Sequence, residues 1–221
     1  MAEIDNWVEA QEFQITLDSQ GKIIDYIDNE VRRPNTPEER IRQKMAQILH
    51  CELGYPINNI GIERTINIGR EIKRADIVVY NTPAACASNN QGEIFLIAEI
   101  KSPVITDADG QLFSYMSATS AQGGFWTNGN KISFYRKDAT TGNIIPWLGV
   151  PKYEQAWDSV GKYKKSDLIV PVDLKLAFRR CHNAIYRSGI DSEDIALDMV
   201  RIILSKIEDE ASAKEECDFH I

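Results

Sequence analysis

Residues 94–103 read IFLIAEIKSP, an apolar run that ends in a carboxylate and a lysine before a serine and a proline. Its β-branched and aromatic residues predict a buried strand, and Pro103 is expected to stop it. Because side chains alternate across a strand, Glu99 and Lys101 should emerge on one face while Ile100 points to the other.

A second run, KRADIVVY at residues 73–80, predicts another buried strand with Asp76 at its polar end. If the two strands are neighbours, Asp76, Glu99 and Lys101 converge on one spot. Carboxylate oxygens suit Mg²⁺, which binds proteins through one or two carboxylates plus substrate phosphate. A lysine beside such an ion could orient or deprotonate the attacking water, which points to phosphodiester hydrolysis. The alternative is a set of solvated strand-end charges with an ion pair between them.

Two predicted helices flank these strands. The first has Thr36 as N-cap and Pro37 at its first position, and Gly54 ends it. The second starts at Asp107 or Asp109 and continues to about Thr119.

Together these elements predict an α/β protein of the mixed α+β type, with a mixed central sheet flanked by helices and a C-terminal pair of helices. We expect a main domain over residues 1–150, a connector over 151–172, a helical segment over 173–210 and a disordered tail over 211–221. Residues 137–172 are poor in periodicity, whereas 173–210 carry two amphipathic patterns.

Composition limits the function classes. The net charge is −8, with 33 acidic against 25 basic residues, which argues against strong DNA binding by this chain alone. The four cysteines are far apart, which indicates reduced thiols in a cytoplasmic protein rather than a zinc site or a disulfide framework. No signal peptide or membrane-length apolar run is visible, so no membrane partner is expected.

The order of motifs resembles the N-terminal domain of type I restriction enzyme R subunits, within the PD-(D/E)XK nuclease superfamily. The resemblance spans roughly residues 30–137 and rests on six segments in the right order. They are Arg33–Arg40, Leu53–Pro56, Lys73–Tyr80, Glu99–Pro103, Gln111–Tyr115 and Thr127–Gly129. Ala75 stands where the superfamily's name has a proline, a position that varies within it.

The resemblance implies a restriction-endonuclease-like core in residues 1–150, an Mg²⁺-dependent endodeoxyribonuclease activity in which Mn²⁺ substitutes, and double-stranded DNA as substrate. It also implies further restriction-modification domains or subunits as partners. The implied catalytic residues are Asp76, Glu99, Lys101, Glu39 and Gln111. The implied metal ligands are Asp76, Glu99, the main-chain carbonyl of Ile100 and, through water, Glu39. The implied DNA contacts are Lys73, Arg74 and Tyr115.

Several of these residues have a plainer interpretation. Glu39 also completes a Thr-x-x-Glu capping box with Thr36. Gln111 and Tyr115, at i, i+4 spacing, also fit an exposed helix pair. Lys73 and Arg74 also fit solvated strand-end charge.

At the level of the whole chain, two other functions remain open. One is a catalytically inactive nuclease-like scaffold or assembly domain of a larger protein, and the other is a nuclease that acts on RNA or single strands. Residues 178–183 and 203–207 resemble the start of the helical region of adenine DNA methyltransferases, which would fit a longer restriction-modification polypeptide.

Overall fold

The computed structural model describes residues 13–162, 165–167, 173–187, 192–214 and 217. Its contacts separate two compact units, one within residues 4–160 and one within residues 161–221.

The first unit is a sheet with helices on both faces. Its strands and helices, in chain order, are β1 (Ile23–Ile24), β2 (Arg32–Arg33), α1 (Pro37–Cys51), β3 (Ile60–Ile68), β4 (Glu71–Tyr80), α2 (Pro83–Ser88), β5 (Ile94–Ile100), α3 (Asp109–Ala118), β6 (Gly123–Thr127), β7 (Ile132–Lys137) and β8 (Ile144–Trp147). Short 3₁₀ turns lie at Ile57–Asn59, Gln91–Glu93 and Trp157–Ser159.

The main sheet has the order β3-β4-β5-β6-β7-β8, and β1 pairs with β2 in a separate two-stranded ribbon. Every neighbouring pair in the main sheet is antiparallel except β5 and β6, which are parallel. A parallel pair needs a crossover connection, and α3 supplies it. The predicted mixed sheet flanked by helices is therefore confirmed.

Alternating side chains of the sheet form two core layers. On one face, α1 packs Met45, Ile48 and Leu49 against β4 and β5 side chains that include Ile77 and Ile100. On the other face, the α3 side chains, with Leu112, Tyr115 and Met116 among them, pack against Val78, Ile97 and Trp126. Because both faces of β5 and of the second half of β4 are covered, these segments are nearly continuous apolar runs.

Local signals fix the ends of α1. The Thr36 hydroxyl accepts a hydrogen bond from the Glu39 N–H at 3.2 Å, and Pro37 occupies the first turn. The predicted start is confirmed. The helix ends at Cys51, three residues before Gly54, whose φ of 78° lies in the left-handed region that favours glycine.

The structure adds elements that the sequence patterns did not predict. The region from Asn81 to Gly92 contains α2, which has the Thr82 cap and Pro83 start of an ordinary helix. β8 lies in the segment with poor periodicity.

The main domain also extends further along the chain than the expected boundary at residue 150. The first compact unit continues to Val160, ten residues into the range assigned to the connector. The physical reason is burial: Trp157 joins the α1-side core, and the Tyr55 hydroxyl donates to the Pro151 carbonyl at 2.8 Å.

The second unit contains α4 (Leu174–Arg187) and α5 (Ser192–Ala211), close to the two predicted C-terminal helices. A 3₁₀ turn lies at Lys165–Asp167. Residues 163–164 and 168–172 of the predicted connector, and 215–216 and 218–221 of the predicted tail, lie outside the described residues. In the part of the chain that is described, no helix has the length and apolar character needed to span a membrane.

Candidate active site

The two predicted strands are neighbours, and their polar ends meet. β4 and β5 pair with Ile77 opposite Ala98, so Asp76 and Glu99 occupy the next position along the same antiparallel ladder. The Ile100 N–H donates to Asp76 Oδ2 at 2.7 Å. The predicted convergence of the two carboxylates is confirmed.

Glu99 is more deeply buried than Asp76: it is 2% exposed, whereas the Asp76 side chain is 13% exposed. Its Oε1 accepts a hydrogen bond from Lys101 Nζ at 2.5 Å, which confirms that the two side chains share a face. Its Oε2 is buried and has no hydrogen-bond partner among the described residues. Burial, and next the charge of Asp76, raises the pKa of Glu99 to about 7. A buried carboxylate oxygen without a partner is costly, and a cation or a hydrogen-bond donor at this oxygen would remove that cost.

Polar side chains of α3 hold Lys101 from its other side. Lys101 Nζ donates to Gln111 Oε1 at 2.8 Å, and Gln111 Nε2 donates to the Tyr115 hydroxyl at 2.8 Å. That hydroxyl donates in turn to the main-chain carbonyl of Arg74 at 3.0 Å. Tyr115 is 1% exposed, so the interpretation of an exposed helix pair is wrong for it. Burial raises the pKa of Tyr115, which keeps the phenol a donor in this chain of bonds.

The sequence analysis missed Arg42, which contacts the site directly. Its Nη2 donates to Asp76 Oδ1 at 2.5 Å, and its Nη1 donates to Glu39 Oε2. Arg42 is 6% exposed. The i, i+3 spacing from Glu39 is the signal of a helix ion pair and could have been noticed. No spacing rule links Arg42 to Asp76, which follows it by 34 residues.

Glu39 is buried, and its carboxylate does not complete the predicted capping box. The Thr36 N–H donates to the Pro34 carbonyl at 3.0 Å instead. Glu39 Oε1 accepts from Gln43 Nε2 at 2.8 Å, in addition to the Arg42 contact at Oε2. Burial raises the pKa of Glu39. The capping interpretation is therefore wrong for the carboxylate, and the water-mediated metal contact stays a prediction.

Glu63 is a further acid at the site that the sequence analysis did not identify. It lies between Ile62, which pairs with Ile77, and Arg64, which pairs with Ala75, and its Oε1 is 3.7 Å from Arg42 Nη1. Its φ of 52° is in the left-handed region, where a residue with a Cβ is strained.

Arginines surround the Glu63 carboxylate and connect it to the ribbon. Arg33 Nη1 donates to Glu63 Oε2 at 2.7 Å, and Arg33 Nε donates to Asp25. Although burial acts in the opposite direction, the hydrogen bond from Arg33 and the charges of Arg33, Arg42 and Arg74 lower the pKa of Glu63. The acidic end of the sheet is thus balanced by arginines.

The predicted DNA-contacting cations lie on the surface of β4. The Lys73 side chain is 46% exposed and pairs with Glu71 at 3.1 Å, and the Arg74 side chain is 65% exposed. These positions fit both a phosphate contact and a solvated charge, so the DNA role stays a prediction.

Trp126 is 1% exposed and donates from Nε1 to Asp109 Oδ1 at 2.5 Å, which makes it a core residue.

The oxygen donors fit a hard divalent cation better than a softer metal. Asp76 and Glu99 supply adjacent carboxylates, one of them with the unpartnered oxygen described above. No group of three or more His, Cys, Asp or Glu side chains in the described ranges is placed to hold a metal. Two carboxylates are nevertheless enough for Mg²⁺, which keeps several waters. The Ile100 carbonyl as a third ligand stays a prediction.

The profile of the family described as type I restriction enzyme R protein N terminus (HSDR_N) matches residues 37–151, more than half of the chain. The chain belongs to this family. Membership gives it a nuclease-related role in a restriction system, and the match covers α1 and the whole main sheet with its candidate site. No curated protein and no solved structure matches the chain. The family match does not reach residues 173–210, so the likeness to methyltransferase helices stays a prediction.

Proposed function

We propose that the chain is a metal-dependent endonuclease domain of a restriction system and that it hydrolyses phosphodiester bonds in DNA. The observation that carries this proposal is the buried Oε2 of Glu99, which has no partner among the described residues, on a residue that lies across the β4–β5 pair from Asp76. A structural ion pair alone would leave this oxygen unexplained, because buried carboxylate oxygens are normally paired.

Asp76 and Glu99 would hold Mg²⁺, or Mn²⁺ in its place, with the Ile100 carbonyl as a further ligand and Glu39 acting through water. A bound divalent ion supplies positive charge at the scissile phosphate and acidifies nearby water.

Lys101 is the residue we assign to the reacting atoms. Two hydrogen bonds, to Glu99 and to Gln111, fix the position of its ammonium group. The reaction therefore carries only a small entropic cost for orienting this group. From this position it holds the attacking water or the phosphate oxygens. Gln111 and Tyr115 act as positioning residues for Lys101.

Duplex DNA is the proposed substrate, with Lys73 and Arg74 beside its backbone. Because the net charge is −8, further subunits or domains of a restriction-modification assembly would supply most of the affinity. A cytoplasmic location belongs to the same proposal.

Cleavage of supercoiled plasmid in Mn²⁺ tests the function. We expect the purified chain to nick the plasmid, and Asp76→Asn and Lys101→Met to abolish nicking while their melting transitions remain cooperative. Arg40→Met is the matched control, since Arg40 is an exposed α1 residue that pairs with Asn35. Nicking at the wild-type rate by both site variants would refute the proposal. Single-stranded circular DNA and RNA, run in parallel, test the alternative substrates.

One observation favours the second candidate, an inactive nuclease-like scaffold. Both Asp76 oxygens already accept hydrogen bonds, one from Arg42 and one from the Ile100 N–H. Calorimetric titration with Mn²⁺ separates the candidates: binding that is lost in Glu99→Ala supports the nuclease, and no binding at millimolar Mn²⁺ supports the scaffold.

A further inference from the structure

Arg42 forms a buried bridge between two acids of the site. Its guanidinium donates from Nη1 to Glu39 and from Nη2 to Asp76 Oδ1, and Nη1 also lies 3.7 Å from Glu63 Oε1. The Arg42 side chain is 7% exposed, the Asp76 side chain 13% and the Glu39 side chain 3%. Arg42 therefore supplies the positive charge on an oxygen that a divalent ion would also use.

The bridge is incomplete on the arginine side. Arg42 Nε is buried and, like Glu99 Oε2, has no hydrogen-bond partner among the described residues. An unpaired buried donor is unfavourable, so this conformation is maintained by the two carboxylates despite that cost.

The same nitrogen already has a second, longer hydrogen bond to the Glu38 carboxylate. Glu38 Oε1 is 3.5 Å from Arg42 Nη2, and its side chain is 41% exposed at i, i+4 spacing on α1. A small movement of the guanidinium toward solvent would exchange Asp76 for Glu38 while the Glu39 contact is kept.

We propose that Arg42 is a resident counter-ion that occupies Asp76 until a divalent cation displaces it toward Glu38, and that this competition sets the metal affinity of the site. The inference rests on the proposed metal-dependent function. It assigns Arg42 a role that a purely structural ion pair lacks, because a structural pair would support the ligands and its loss would weaken metal binding.

Calorimetric titration of the whole chain with Mn²⁺, without DNA, tests the competition. Removing a charge-assisted hydrogen bond that must otherwise be broken should lower the Kd by about tenfold or more in Arg42→Met. Since this variant leaves the buried Glu39 without its cation, Glu39→Gln/Arg42→Met is also compared with Glu39→Gln alone, and the same relative tightening is expected. Glu38→Gln, which removes the negative charge of the second acceptor for Arg42, should raise the Kd for Mn²⁺ by about threefold.

Arg40→Met is the matched control, because it removes the same charge from an exposed position of the same helix. Its Kd should stay within about twofold of wild type. Equal or weaker binding by both Arg42 variants would overturn the competition and leave the metal-dependent function standing. Absence of Mn²⁺ binding in the wild type and in every variant would overturn both together.

Discussion

Replacing Glu99 by glutamine measures what the site costs the protein when no metal is bound. Burial and the charge of Asp76 raise the pKa of Glu99 from an ordinary 4.5 to about 7. A carboxyl group with a raised pKa contributes stability below its unfolded pKa and loses that contribution as the pH rises through its folded pKa. The penalty therefore develops between about pH 4.5 and pH 7.

The size of the effect follows from that interval. The difference between the unfolded and folded pKa values of Glu99 corresponds to on the order of 3 kcal/mol of stability. Because Glu99 is only 2% exposed, solvent does not screen this contribution. Glu99→Gln removes the titrating group and keeps its shape. The variant should thus gain about 3 kcal/mol relative to wild type as the pH is raised from 4.5 to 8, in the presence of a chelator.

Urea unfolding followed by tryptophan fluorescence suits this measurement, because all four tryptophans belong to residues 4–160. Carboxyl groups that do not interact with Glu99 titrate equally in both proteins, so the difference between the two curves reports Glu99 together with its interaction with Asp76. A difference that stays constant within about 0.5 kcal/mol across this pH range would refute the burial and charge argument for Glu99.

Three further substitutions test the positioning of Lys101 and the packing of the core. Gln111→Ala, which removes the second hydrogen bond to Lys101, should slow plasmid nicking by about 10- to 100-fold with little change in melting temperature, and an unchanged rate would contradict the positioning role. Gly124→Ala should destabilise the protein by about 1–3 kcal/mol in urea, because a Cβ there would lie 2.6 Å from the Ile97 carbonyl oxygen. Gly110→Ala in α3, with open space at its Cβ, should instead be neutral or stabilising by up to about 1 kcal/mol, and equal effects of the two would contradict the packing argument.

Local pattern was enough to predict the elements that carry the site. The apolar runs before Glu99 and after Asp76 predicted β5 and β4, since strands buried on both faces are written as continuous apolar sequence. The alternation of side chains along a strand then predicted that Glu99 and Lys101 lie on one face. The Thr36 cap predicted the start of α1 for an equally local reason.

The parts that escaped prediction depend on contacts between distant segments. Arg42 contacts the site because β4 brings Asp76 to it, and Glu63 belongs to the site because β3 brings its carboxylate to Arg42. Trp157 is a core residue only because the chain after β8 returns to the α1 face. Periodicity within one segment cannot report such contacts.

The position of a bound ion decides whether Asp76 and Glu99 form a metal site. A crystal of the metal-free protein, soaked in Mn²⁺ and measured near the manganese absorption edge, gives an anomalous peak at any occupied site. We predict a peak between the Asp76 carboxylate and Glu99 Oε2, with the Arg42 guanidinium moved off Asp76 Oδ1. A well-ordered site with no peak there, while Arg42 stays on Asp76, would contradict the account.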